Sequence, residues 1–145
     1  MAYCTSADVQ IAVGGAAKLA AVSDQANGGV IDAAVVAAAI AEADALINSY
    51  ASKRFAVPIA PAPPTFVALS ARYSARILRR NRSMQLVADL EEEKADRAWL
   101  EDLAAGKVLP GVEPLPAKGS IVVDQVGDRE SVRTTTREKT KGGLW

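Results

Sequence analysis

Asp32-AAVVAAAIAEADALINSYAS-Lys53 is the stretch of sequence that decides the fold. Aspartate is a preferred N-cap and alanine the strongest helix former, so the stretch predicts one helix of about 22 residues, ~33 Å long. Its larger apolar side chains share one side, formed by Val35, Val36, Ala39, Ile40, Ala43, Leu46, Ile47 and Tyr50. The other side is smooth, with Ala34, Ala37, Ala38, Ala41 and Ala45. Either a second helix or another subunit approaches this smooth side closely, or its alanines supply helix propensity alone.

The sequences on both sides of this stretch predict further helices. Thr5 and Ser6 precede a first-turn carboxylate, which marks a helix start that Gly14-Gly15 would end. Prolines prevent a helix over residues 55–63, whereas Pro64 suits the first turn of the next one. The predicted flanking helices cover about residues 7–13, 16–22, 65–81 and 84–105. We therefore expect an all-α protein, a small helical bundle of about four to five helices over residues 1–106.

The apolar pattern of the predicted helix 84–105 is split. Leu86, Val87 and Leu90 point one way, whereas Trp99, Leu100 and Leu103 point another. Either the helix breaks or bends near residue 91, or it contacts two different surfaces. Gly106 follows as a C′ glycine.

The composition changes after Gly106. Several prolines predict an extended linker, and Ser120–Val126 reads as a short β-strand. A tail with one short strand cannot build a core of its own. Residues 107–145 are therefore predicted to be either disordered or an extended arm that docks on something else. The candidate docking residues of this arm are Ile121, Val123, Arg133, Arg137, Leu144 and Trp145.

Composition excludes several classes of chemistry. The 145 residues include no histidine and one cysteine, Cys4. Catalysis by Ser-His or Cys-His pairs, His-ligated zinc, an internal disulfide and a CxxC metal site are all excluded. Cys4 is read either as a reactive thiolate or as an idle buried thiol, and its lack of a nearby base favours the second. No nucleotide-binding or hydrolase motif is present, so we expect neither an enzyme nor a cofactor.

Hydropathy gives no sign of a secreted or membrane protein. No stretch approaches the ~18–20 apolar residues that a membrane span needs, and no basic leader precedes an apolar segment. We therefore expect synthesis in a cytosol and no membrane partner.

The helix predicted at 65–81 carries a strip of arginines. Its members are Arg72, Arg76, Arg79, Arg80 and Arg82. One interpretation is a surface that faces phosphates or DNA. The other is pairing with acids of this chain or of a neighbouring subunit, because the next helix is strongly acidic and the chain has 17 basic and 17 acidic residues. The acids expected at a subunit interface are Asp89, Glu92, Glu93 and Asp96.

The loop at Asp24–Asp32 faintly resembles a calcium-binding loop. Val35 occupies the position where such a loop requires a glutamate, and two aspartates supply few oxygen ligands. We therefore expect no metal site, and the loop glycines and Ile31 suffice to fix a helix–loop–helix geometry.

Several motifs resemble one family. Met1-Ala-Tyr-x-Thr-x-x-Asp-Val resembles the opening of the small head–tail connector (adaptor, head-completion) proteins of Mu-like tailed phages and prophages. Over about residues 1–110, further segments are similar in order and spacing: Asp24–Asp32, Tyr50-Ala-x-x-Arg54-Phe55, Val57-Pro58, Pro63-Pro64, the arginine-rich helix around Tyr73, and Trp99-Leu100-x-x-Leu103-Ala-Ala-Gly-Lys107.

The resemblance implies a structural role in the virion. Members of that family form a ring, typically dodecameric, between the portal of the DNA-filled head and the tail. The implied partners are the portal protein, a downstream tail, stopper or tail-completion protein, other copies of this chain, and the packaged DNA that passes through the channel. The rival hypothesis is a small DNA-binding regulator that uses the Arg72–Arg82 helix.

Overall fold

In a computed structural model that describes residues 1–112, 114 and 115, the chain forms five helices, and no strand occurs in these residues. The helices are α1 (Ser6–Val13), α2 (Ala16–Ser23), α3 (Ala33–Ala51), α4 (Pro64–Asn81) and α5 (Val87–Ala105). The prediction of a small all-α bundle is confirmed. The predicted strand at 120–126 and most of the predicted arm lie outside the described residues.

The core lies where α3, α4 and the short helix α1 meet. The predicted apolar side of α3 is buried or half-buried, and Ala43 and Ile47 at its centre are fully buried. Phe66 and Leu78 of α4 are also fully buried. Phe66 contacts the ring of Tyr3 edge-on at a centroid distance of 5.6 Å and that of Trp99 at 6.0 Å. This one side chain therefore joins the N-terminal segment, α4 and α5.

The smooth side of α3 is exposed. All five alanines assigned to it from the sequence face away from the core, and none of the described residues forms a helix over them. This leaves open the prediction that another subunit approaches there.

Helix α5 is continuous through residue 91, so of the two alternatives the helix does not break there. The helix begins at Val87 rather than at 84, because Ser83 has a positive φ of 54° and Asp89 accepts the Leu86 N–H at 2.9 Å. Its two halves meet different surroundings. Leu100 and Leu103 are fully buried, whereas Leu86, Val87 and Leu90 are exposed.

Four predicted helix-terminal residues are found in their predicted roles, although α3 ends at Ala51 rather than at 53 and α5 begins later than predicted. Thr5 caps α1 and forms a reciprocal capping box with Asp8. Asp32 caps α3 by accepting the N–H groups of residues 34 and 35 at 3.0 and 3.2 Å. Pro64 is the first residue of α4, and Gly106 ends α5 in the left-handed conformation with φ 78°.

Replacing Gly106 by alanine is expected to destabilise the protein by about 1–3 kcal/mol. The substitution strains the backbone at φ 78°, and the added Cβ would meet the Arg54 guanidinium, whose Nη1 donates to Ala105 O at 2.9 Å. Urea unfolding followed by circular dichroism measures the loss. Gly111→Ala, with the same φ but open space around the Cβ, is the matched control; equal losses in both variants would show that the Arg54 contact contributes nothing.

Among the described helices, α3 is long and apolar enough to cross a membrane by length and composition alone, with a mean hydropathy of 1.3. The expectation that no stretch approaches these limits is therefore wrong. Much of this hydropathy comes from the exposed alanines. The opposite side of α3 builds the core and includes the buried Asp44, so in this fold α3 serves as a core helix.

Candidate functional site

Charged side chains from α4 and α5 meet in a seam, defined here as Arg72, Arg76 and Arg79 with Asp89 and Asp96. The three arginines are spaced three or four residues apart and so share one side of α4. The two aspartates are seven residues apart and share one side of α5. Helical periodicity in both partners aligns the two rows of charges.

Asp96 binds two arginines at the centre of the seam. Its Oδ2 accepts from Arg76 Nη2 at 2.6 Å and its Oδ1 from Arg72 Nη2 at 2.7 Å. The Arg76 side chain is only 5% exposed, whereas that of Arg72 is 48% exposed. The Arg76 guanidinium also lies 4.4 Å from the Tyr73 ring centroid, a cation–π contact. Arg76 is therefore a buried cation that depends on Asp96.

Three polar atoms beside this pair have no hydrogen-bond partner in the described part of the chain: Arg76 Nε, Arg76 Nη1 and Tyr73 Oη. Arg76 Nη1 lies 3.7 Å from Oε2 of the mostly exposed Glu92, too far for a hydrogen bond. Burial raises the pKa of the Tyr73 hydroxyl, and the Asp96 carboxylate raises it further. The hydroxyl therefore stays protonated at neutral pH.

The other arginines of the strip reach different elements. Arg79 Nη1 donates to the buried Asp89 at 2.6 Å, which completes the seam. Arg80 forms an exposed ion pair with Glu42 of α3 at 2.9 Å. Arg82 Nη2 donates to Asn27 at 3.1 Å, which links the end of α4 to the loop after α2. Through these contacts the strip connects α4 to α5, to α3 and to the loop after α2.

The acids predicted for a subunit interface divide into two groups. Asp89 and Asp96 are buried in the seam, whereas Glu92 lies at its rim. Glu93 pairs with Arg97 of the same helix at 3.1 Å. Of the two interpretations of the arginine strip, pairing within the chain is the one visible here. Contact of these residues with DNA or another subunit stays a prediction.

The six candidate docking residues of the arm lie outside the described residues. They are Ile121, Val123, Arg133, Arg137, Leu144 and Trp145. The last described residue, Leu115, donates its N–H to Arg54 O at 2.6 Å. The chain is therefore still attached to the helical body nine residues after the predicted boundary at residue 106.

The loop that resembles a calcium site uses its carboxylates on its own backbone. Asp24 accepts the N–H groups of Ala26 and Gly29, the first at 3.0 Å, and Asp32 caps α3. Ser23 Oγ accepts the Asp32 N–H at 3.2 Å. Within residues 1–112, 114 and 115, no group of three or more acidic, histidine or cysteine side chains is arranged to hold a metal ion.

Sequence reasoning missed a buried polar cluster around Asp44. This carboxylate accepts the Tyr3 N–H at 3.0 Å and the Ser70 hydroxyl proton, and Cys4 Sγ lies 3.2 Å from Ser70 Oγ. Burial raises the pKa of the Cys4 thiol, which disfavours a nucleophilic thiolate. The sequence did contain one sign of this cluster, because Asp44 lies on the apolar side of α3 between Ile40 and Ile47.

Arg54 was also missed as a tertiary contact. Its side chain caps the C-terminal end of α5 and its carbonyl oxygen holds Leu115. The sequence carried no local sign of either bond, because the partners are 51 and more residues away.

Comparison with known proteins gives one positive finding. Residues 3–126 match the model of the protein family described as "Bacteriophage Mu, Gp36". The match spans all five helices. No curated protein matches the chain significantly.

Proposed function

Because the chain belongs to the bacteriophage Mu Gp36 family, we propose that it is a structural virion protein, a head–tail connector that forms a ring between the portal and the tail. Membership makes it a protein of Mu-like phages, in agreement with the resemblance found in the sequence. It also suggests a structural or morphogenetic role. The connector role and the position at the head–tail junction are the finer steps proposed here.

The observation that carries the proposal is a body with unlike exposed sides. A ring of identical subunits needs two different complementary surfaces on each subunit. The alanine side of α3 is small and smooth, whereas the start of α5 exposes large apolar side chains. Neither is covered by the described residues, and the two belong to different helices. This arrangement suits head-to-tail contacts between copies.

The proposed partners follow from this role. They are the portal protein, further copies of this chain in a ring that matches the portal, typically dodecameric, and a downstream tail, stopper or tail-completion protein. Packaged DNA would pass through the channel that the ring continues. We propose no catalytic residue and no cofactor for this role.

The rival proposal, a DNA-binding regulator, has weaker support from the geometry. All five arginines on which it relies donate to acceptors within the chain, and three of them form the seam with α5. A cation that is already paired releases fewer counterions on binding a phosphate, so it contributes less to DNA affinity. The net charge of zero likewise removes long-range attraction to DNA.

We expect the purified chain to be monomeric or weakly associated alone and to add a ring to isolated portal complexes. Mass photometry and electron microscopy of the mixture test this directly. Ala38→Arg, on the smooth side of α3, is expected to fold normally but to add no ring, because the long cation prevents close approach. Ala98→Arg, at an exposed alanine of α5, is the matched control and should still assemble.

Two results would contradict the connector proposal. One is the absence of any association with the portal at micromolar concentrations. The other is sub-micromolar binding to duplex DNA at physiological salt, with log K falling by about 0.9 per phosphate contact as log salt rises, which would favour the regulator instead.

A further inference from the structure

A polar cleft lies beside the seam, where α3, α4, α5 and the turn before α5 meet. It has a volume of about 360 Å³. Leu46 and Ile77 are its two aliphatic lining residues, and every other side chain that lines it is polar or charged. The lining therefore favours a polar ligand over an apolar one.

Hydrogen-bond donors outnumber acceptors around this cleft. Three of its lining residues are arginines, Arg76, Arg80 and Arg97, and each guanidinium carries five N–H donors. Arg80 donates one of its N–H groups to Glu42, and Arg97 donates one to Glu93. Arg76 donates one to the seam. Most of the donors can therefore serve a ligand that is rich in acceptor oxygens.

The buried side of the cleft holds donors that have no acceptor. Arg76 and Tyr73 are each only 4% exposed. Arg76 Nε, Arg76 Nη1 and Tyr73 Oη have no hydrogen-bond partner among the residues described. Burial and then the Asp96 carboxylate raise the pKa of the hydroxyl, and the charges of Glu93 and Arg97 also act on it. The hydroxyl therefore lies near these two lining residues, where an acceptor oxygen would satisfy it.

Two exposed ion pairs form the rim and control access to the buried donors. Arg97 contacts Glu93 at 3.1 Å, and the Arg97 side chain is 54% exposed. Arg80 and Glu42 are 2.9 Å apart, and both side chains are more than half exposed. Exposed pairs of this kind contribute little free energy. Each rim arginine can therefore exchange its glutamate for an anionic ligand at little cost.

The charges of the lining favour an anion. They comprise three arginines and two glutamates. From the seam side Asp96 also faces Arg76, but Asp96 is shared with Arg72 and so offsets the charge of Arg76 only in part. Guanidinium groups match the oxygens of phosphate and carboxylate. Because the three arginines extend from two helices, they suit a tetrahedral group better than a planar one.

We propose that this cleft binds a small phosphate-type oxyanion, such as inorganic phosphate or a phosphomonoester. Arg76 and Tyr73 would donate to it from the buried side, and Arg80 and Arg97 from the rim. The binding site does not depend on the connector role.

The test is a titration of the full ¹⁵N-labelled chain with sodium phosphate at constant ionic strength, with the arginine Nε–H signals followed by NMR. The signals of Arg76, Arg80 and Arg97 should shift and saturate. Arg80→Gln, Arg97→Gln and Tyr73→Phe should each weaken binding about tenfold, as expected for the loss of one hydrogen bond to a charged group. Arg82→Gln removes a charge from the same end of α4 outside the cleft, and as the matched control it should leave the dissociation constant unchanged.

Three outcomes would overturn the proposal. The first is the absence of a saturable shift at tens of millimolar phosphate. The second is equal weakening by Arg82→Gln, or equal shifts with acetate, since either would indicate general attraction of anions instead of a site. The third concerns duplex DNA at the same phosphate concentration, which should leave the signals in place because the cleft is enclosed by several segments. An equal response to DNA would assign these arginines to a DNA-contacting surface.

Discussion

Replacing Asp96 by alanine is expected to lower the free energy of unfolding by about 3–5 kcal/mol. The carboxylate neutralises Arg76, whose side chain is 5% exposed, through a contact of 2.6 Å. Without it, the remaining acid near Arg76 is Glu92, at 3.7 Å from Nη1. Two nitrogens of Arg76 already lack hydrogen-bond acceptors in the described structure. The substitution would therefore leave a buried and largely unpaired cation. Urea unfolding monitored by circular dichroism measures the effect.

Two variants separate this mechanism from simple loss of contacts. Arg72→Ala removes the half-exposed partner of the same carboxylate and should cost less than about 1 kcal/mol, because solvent screens that pair. The double variant Arg76→Met with Asp96→Leu removes both charges and should regain most of the stability lost in Asp96→Ala. If Arg72→Ala were as harmful as Asp96→Ala, the idea that burial of Arg76 dominates would be refuted.

Replacing Phe66 by alanine is the other large effect, with an expected loss of about 3–5 kcal/mol. Phe66 is fully buried and lies between the rings of Tyr3 and Trp99. Its removal leaves a cavity where three parts of the chain meet. It also removes two edge-to-face aromatic contacts, each contributing about 0.5–1.5 kcal/mol beyond burial. The loss is measured by thermal and urea unfolding.

Phe66→Leu is the control for this prediction. Leucine refills much of the cavity but cannot form the aromatic contacts, so a loss of about 1–2 kcal/mol is expected. The near-ultraviolet circular dichroism signal of Trp99 should weaken in both variants. If Phe66→Ala unfolded with unchanged stability, the meeting point of Tyr3, Phe66 and Trp99 would not be the centre of the core.

The charge pairs of the seam also affect the proposed assembly. A helix held mainly by charge pairs along its first half and by Leu100 and Leu103 along its second half keeps its apolar start available for other contacts. The stability of the seam therefore determines whether the exposed Leu86, Val87 and Leu90 keep a single position on the surface. We expect Asp96→Ala to weaken ring formation on the portal more than Arg72→Ala does.

The five helices and most of their ends, but not the start of α5, were predictable from local sequence. Thr5, Asp32, Pro64 and Gly106 act within one turn of their own positions, through bonds to neighbouring backbone groups or through their own φ angles. The apolar sides of α3 and α4 follow from helical periodicity alone. For the same reason the family resemblance, which depends on short motifs in order, was visible without a structure.

Only the tertiary structure decided which charges meet. The arginine strip and the acidic helix were both evident, but whether they pair within the chain, between subunits or with DNA depends on how α5 is oriented on α4. That orientation brings Arg76 to Asp96 and turns Leu86, Val87 and Leu90 outward. Asp44 and Arg54 were hidden likewise, since their partners lie 26 to 61 residues away. Periodicity fixes the side of a helix on which a residue lies, whereas its partner is set by the packing of the whole chain, in which burial and charge compete.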